Sequence, residues 1–196
     1  MTRELGTTAP GSARRRSAPS VRALVVAGAV AIAVVAAIAV WLVVRGGGDE
    51  AQPAQRARAT AASIQELRAL ARSVGHPVYW AGRQPRYTYE LSRTSNGGVY
   101  IRYLPPGAEL GSPNPDYLTV GTYPQPDALA TLRATARKQG SRMIRLAGAG
   151  VAFQHKTHPT SVYLAYPGSD FQIEVYDPIP GRARLLVLSG RITPVR

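Results

Sequence analysis

Residues 87–104 read YTYELSRTSNGGVYIRYL, and the folding of this stretch decides the build of the chain. Tyr87–Arg93 and Val99–Leu104 are rich in β-branched and aromatic residues, the types that suit a half-buried pleated surface. Between them lie Thr94-Ser95-Asn96-Gly97-Gly98. Asn-Gly between two such runs predicts a β-hairpin, because both residues accept a positive φ.

Working outward, the same signals recur. Leu118–Tyr123 reads as a strand. PDALATLRATARKQG (126–140) reads as a helix opened by Pro126 and Asp127, with Leu129, Leu132 and Ala136 on one stripe and Gly140 as its stop. Arg142–Leu146 and Val151–His155 flank Ala147-Gly148-Ala149-Gly150. Val162–Tyr166 and Phe171–Tyr176 flank Pro167-Gly168-Ser169-Asp170. Asp177-Pro178 reads as an N-cap and first helical residue, so 179–189 is expected as a short helix. The alternation of Ala183, Leu185 and Val187 keeps a strand open as the alternative. Upstream, Ser63-Ile64-Gln65-Glu66 fits a capping box. A helix over about residues 60–74 follows, ended by Gly75. Pro77–Trp80 is a short extended run.

Val99-Tyr100-Ile101-Arg102-Tyr103 resembles Val162-Tyr163-Leu164-Ala165-Tyr166, and Leu118-Thr119-Val120 resembles Ile173-Glu174-Val175. Each set precedes a proline-started helix. A duplicated ββα unit and independent convergence of similar strands both account for this. The expected fold class is α+β: an antiparallel sheet with two or three short helices on one face, in two layers, over residues 63–196.

Residues 23–44, ALVVAGAVAIAVVAAIAVWLVV, carry no charge, Pro, Asn or Gln over 22 residues. A helix of that length spans about 30 Å, the thickness of a bilayer core. It exceeds the apolar core of a cleaved signal peptide, so an uncleaved signal anchor is expected. Five arginines lie before the span and three soon after it, at Arg45, Arg56 and Arg58. The positive-inside tendency then places the N-terminus in the cytoplasm and the C-terminal domain outside the cell membrane. Residues 1–22 are expected as a disordered basic tail, and 45–62 as a flexible linker opened by Gly46-Gly47-Gly48. Ala29, Ala33 and Ala37 share one helix face, which would suit a homodimer through the membrane helix.

The 196-residue chain has no cysteine, which excludes disulfides, thiolate metal sites and a thiol nucleophile. Its formal net charge is +13, and 22 of its 24 basic residues are arginine. The tail nets +4 and the remainder +9. Such charge suits nucleic acid, but no nucleic-acid motif is present and the expected topology puts the domain outside. Anionic lipid, cell-wall polymer or another membrane protein fits that setting better. Tyr100, Arg102 and Tyr103 read as ordinary strand composition rather than a stacking platform.

His155 and His158 sit at a strand end, where a spacing of three does not favour convergence, and further ligands are wanting. No metal or other cofactor is expected. There is no Walker loop, no G-x-G-x-x-G and no G-x-S-x-G elbow; Gly168-Ser169-Asp170 reads as a tight turn. Glu90 and Glu174 are expected on solvent faces of strands. GHPVYWAG (75–82) brings together His76 and Trp80, the two candidate ligand-binding residues, at the passage from the first helix into the sheet.

The string VYW…YTYEL…VYIRYLPPG…YLTVGTYP…VYLAYP…FQIEVYDP resembles the exported domain of single-pass membrane proteins common in high-GC actinobacteria. The resemblance implies location and general build only. The functional expectation is a membrane-anchored, non-catalytic binding or interaction domain. The alternative is an envelope hydrolase whose site is assembled from distant residues.

Overall fold

A computed structural model of the chain describes residues 59–154 and 158–196. The basic tail, the uncharged span and the linker up to residue 58 lie outside the described residues, as do His155 and Lys156. Among the described residues no helix is long and apolar enough to cross a membrane.

The described elements run β1 (Thr60–Ala62), α1 (Ile64–Ser73), β2 (Tyr79–Trp80), β3 (Thr88–Arg93), β4 (Val99–Leu104), β5 (Thr119–Pro124), α2 (Ala128–Lys138), β6 (Met143–Arg145), a 3₁₀ turn (Ala147–Ala149), β7 (Val151–Gln154), β8 (Ser161–Ala165), β9 (Phe171–Tyr176), α3 (Arg182–Leu188) and β10 (Thr193–Pro194). The hairpin of residues 87–104 is present, with Leu91 opposite Ile101 and Glu90 opposite Arg102. Its turn differs from the expectation. Gly97 takes a positive φ of 88°, and Asn96 does not. Thr94 N–H donates to Gly98 O (2.9 Å) and Gly97 N–H to Thr94 O (3.1 Å). The connection is therefore a turn over Thr94–Gly97 that needs one left-handed residue.

The capping box at Ser63 also forms. Ser63 N–H donates to Glu66 Oε2 (2.6 Å) and Glu66 N–H to Ser63 Oγ (3.2 Å). Gly75 follows the helix at φ +70°. The helix starts at Ile64 rather than at residue 60, because Thr60–Ala62 adds a strand to β3, with Thr60 opposite Leu91. Three residues expected as linker thus belong to the sheet.

Eight strands form one antiparallel sheet in the order β1-β3-β4-β5-β9-β8-β7-β6. It consists of two four-stranded meanders meeting at β5 and β9, where Val120 faces Val175. On one face, Ile101, Val120, Val175 and Val162 line up in register across four strands. This row is sealed by Leu67 of α1, Ala183 and Val187 of α3, and Val78, Ile192 and Val195. The pair β2–β10 lies on this face too, and Tyr79 N–H donates to Thr122 Oγ1 (3.0 Å).

The opposite face carries Tyr100, Gly121, Glu174, Tyr163 and Phe153 in one cross-strand row. Helix α2 packs here against β7, β8 and β9, with Ala128, Leu132 and Ala136 buried. Helices therefore cover both faces, and the expected two-layer arrangement is corrected to three layers. The reason is topological. Helix α2 must carry the chain from β5 at the sheet centre to β6 at its far edge, so it crosses behind three strands. Helix α3 has only to return the chain to β10 on the first face.

The last helix spans 182–188, so helix prevails over strand there, but Asp177 does not cap it. Asp177 Oδ1 accepts from Ile179 N–H (2.9 Å), turning the chain at once, and Gly181 at φ +83° takes the N-cap position. Asp-Pro serves a turn as well as a helix start.

Candidate functional site

The two sequence-selected residues lie apart. His76 stacks on Phe171 at the start of β9, ring centroids 4.1 Å apart and planes 18° apart. Trp80 tilts against Tyr89 of β3 at 6.0 Å. Each is half-buried against its own aromatic partner, His76 before β2 and Trp80 within it. Val78, in the same run, is buried in the core. His76 Nδ1 lies 3.1 Å from the Pro77 carbonyl.

The acids expected on solvent faces are drawn inward. Glu90 is 2% exposed and pairs with Arg102 at 2.7 Å, and its other oxygen accepts from Gly111 N–H (2.6 Å). Arg102 also donates to the carbonyls of Ser112 and Asn114 (both 2.9 Å), and its guanidinium lies 5.0 Å from the Tyr117 ring centre. One ion pair thus pins the 105–118 loop over the first meander. Tyr176 O–H adds a bond to Pro115 O (2.6 Å). Tyr100 and Arg102 point to this face while Tyr103 enters the opposite core, so the three form no common platform. Tyr103 O–H accepts from Ala81 N–H (2.7 Å), and burial holds its pKa above the usual tyrosine value.

Glu174 sits at the middle of the second face. Ser161 Oγ donates to Glu174 Oε1 (2.9 Å), and the Tyr163 hydroxyl also hydrogen-bonds the carboxyl group. Tyr100 and Tyr123 stack nearby at 6.4 Å, and Gln172 Nε2 donates to Tyr123 O–H (2.8 Å). Burial raises the pKa of Glu174, while the bonds from Ser161 and Tyr163 hold it down in part. Burial and the neighbouring carboxylate raise Tyr100, Tyr123 and Tyr163 in turn. Asp177, 2% exposed, is committed to Ile179 and, at 3.5 Å, to Arg182.

Two grooves open beside the second meander. One, of about 400 Å³, runs between the stacked Tyr79–Tyr166 pair and the end of α3, with Leu146, Val187, Ile192 and Pro194 in its walls. The other, of about 590 Å³, follows Arg142–Arg145 along β6 and is completed by Gln154, Pro159 and Arg184. Three arginines line it, each exposed. Residues 128–169 contain six basic and no acidic side chains, so this end of the sheet has no carboxylate of its own in β6, β7 or β8. That run is visible in the sequence. Dividing the charge only between tail and remainder hid it.

Among the described residues no group of three or more His, Asp or Glu is placed to hold a metal ion. Comparison of the chain with family models, with curated proteins and with solved structures finds no match. The site therefore rests on its own geometry: a folded antiparallel α+β domain that draws Glu90, Glu174 and Asp177 onto internal partners and lines one of its two open grooves with arginines.

Proposed function

We propose that the chain is a single-pass membrane protein anchored by residues 23–44, with its N-terminus in the cytoplasm and its α+β domain outside. The domain works as a non-catalytic binding module. The observation that carries this reading is the division of charge in the domain. Glu90, Glu174 and Asp177 are spent on internal partners, whereas Arg142, Arg145 and Arg184 are presented together on an open groove. Arginines arranged in this way hold an anionic partner.

Protease treatment of intact cells carrying a C-terminal tag tests the topology. Loss of the tag is expected, and protection of the tag refutes an external domain. The competing reading, an envelope hydrolase, has the contact between Ser161 Oγ and Glu174 Oε1 to draw on. Hydrolysis of an envelope ester or glycan that disappears in Ser161→Ala would favour it.

The two meanders share the strand order that a duplication would leave, with a register offset of two residues: Tyr100 faces Gly121, whereas Tyr163 faces Glu174, the counterpart of Thr119. The copy stops at the strands, since α2 and α3 cover opposite faces.

A further inference from the structure

Among the described residues β6 is the last strand of the sheet, with no strand paired to its outer edge, and that edge has a definite polarity. Leu146 N–H donates to Gly150 O across the β6–β7 turn (2.9 Å). Hydrogen-bonded pairs alternate along an antiparallel ladder. Ile144, opposite Ala152, therefore directs its N–H and C=O to β7, and Met143 and Arg145 direct theirs outward. Two residues of backbone donors and acceptors thus face away from the sheet. The groove runs along this same strand and takes a third arginine, Arg184, from helix α3.

From this we infer that the β6 edge docks an extended, carboxylate-rich segment of a partner protein, which adds to the sheet as a ninth strand. Backbone bonds to Met143 and Arg145 would set the register, and Arg142, Arg145 and Arg184 would select for acidic side chains. Arginines on an edge strand also deter unwanted pairing. Arg184 is on a helix, where edge protection does not require it. A second copy of this chain does not fit, because β6-to-β6 pairing would bring two sets of three guanidinium groups together. The proposal deepens the binding reading above and rests on it, but its measurement does not depend on which side of the membrane the domain occupies.

The test uses the full chain in phosphatidylcholine nanodiscs and a fluorescein-labelled oligoglutamate, read by anisotropy. Binding is expected, and both Arg184→Glu and Met143→Pro should weaken it about tenfold. Proline is tolerated on an edge strand where its missing N–H faced outward, so Met143→Pro removes a docking donor without breaking the β7 ladder. Arg93→Glu, an exposed arginine on β3, makes the same charge change elsewhere and should leave binding unchanged. Oligoglutamate methylated on alternate backbone nitrogens should bind about tenfold more weakly than its parent. The proposal is overturned if oligoglutamate does not bind, if the methylated probe binds as well as its parent, or if Arg93→Glu weakens binding as much as Arg184→Glu. Equal affinity for polyphosphate, or for phosphatidylglycerol vesicles, would also overturn it, since neither can add a strand. The topology reading fails separately, by tag protection in intact cells.

Discussion

The two meanders share one strand plan and close their second face by different means. In the first, a loop lies over the sheet and is held by a buried ion pair, Glu90 with Arg102. In the second, helix α2 lies over the sheet on apolar contacts, and the acid at its centre, Glu174, is met by hydroxyl groups instead of a cation. Arg142 and Arg145 of the second half stand at its outer edge, beside Arg184 of α3. The lesson is that the position of a charge relative to its partner, more than the amount of charge, separates a structural half from one with a surface to offer.

The strongest way to break this contrast is Arg102→Ala. It leaves Glu90 buried without its cation and releases the carbonyls of Ser112 and Asn114. Removing one partner of a buried pair costs about 3–5 kcal/mol. Chemical denaturation should show that loss, with the 105–118 loop becoming the first site of proteolysis. A loss below about 1 kcal/mol would mean that the pair behaves as an exposed one and that the loop is held by other contacts.

Gly121→Ala is the next largest. A Cβ at this position meets the Tyr100 ring at 2.8 and 2.9 Å, and that ring is itself stacked on Tyr123. Overpacking of this kind costs about 1–3 kcal/mol. The cost should shrink in the Tyr100→Ala background, and a double-mutant cycle measures the difference. The second half has a similar device in Gly150, whose added Cβ would lie 2.7 Å from the Tyr166 ring. If the Tyr100→Ala background brings no relief, the glycine is not there to seat the ring.

Much of the domain was legible because its signals are local. A capping box needs four residues, and a hairpin needs two alternating runs and a turn. What escaped reading was set by distance. Glu90 and Glu174 look like solvent-facing strand acids until Arg102 and Ser161 arrive from neighbouring strands. The side taken by α2 depends on where β6 inserts, which no residue of α2 encodes. The Asp177-Pro178 pair has the same composition whether it caps a helix or turns the chain. His76 and Trp80 lie four residues apart in one short run, yet His76 stacks on Phe171 of β9 while Trp80, in β2, meets Tyr89 of β3. Arg142, Arg145 and Arg184 carry no local signal, since one ends a loop, one lies on a strand and one on a helix.

The hydroxyl-bonded acid gives the second half a pH dependence of known sign. Burial holds the Glu174 pKa above the ordinary glutamate value of 4.5. Between that value and the raised one, the folded chain binds more protons than the unfolded chain. Stability therefore falls as pH rises through the window and levels off above it. Glu174→Gln should remove this slope, with stability at neutral pH equal to or above that of the parent. A slope that survives the substitution would assign the titration elsewhere.

The smallest effect falls on the second half's own ion pair, and it sharpens the comparison. Arg182 is 50% exposed and stands 3.5 Å from Asp177, against 16% and 2.7 Å for Arg102 with Glu90. A pair so open to solvent is screened, and its removal costs about 0–1 kcal/mol. Asp177 keeps its bond to Ile179 N–H in Arg182→Ala, so the buried carboxylate is not orphaned. The two arginine variants measured side by side should thus differ severalfold in free energy although each deletes one guanidinium facing one acid. Equal losses would mean that Arg182 carries the turn before α3 as Arg102 carries its loop, and the division between a pinned half and an open half would not hold.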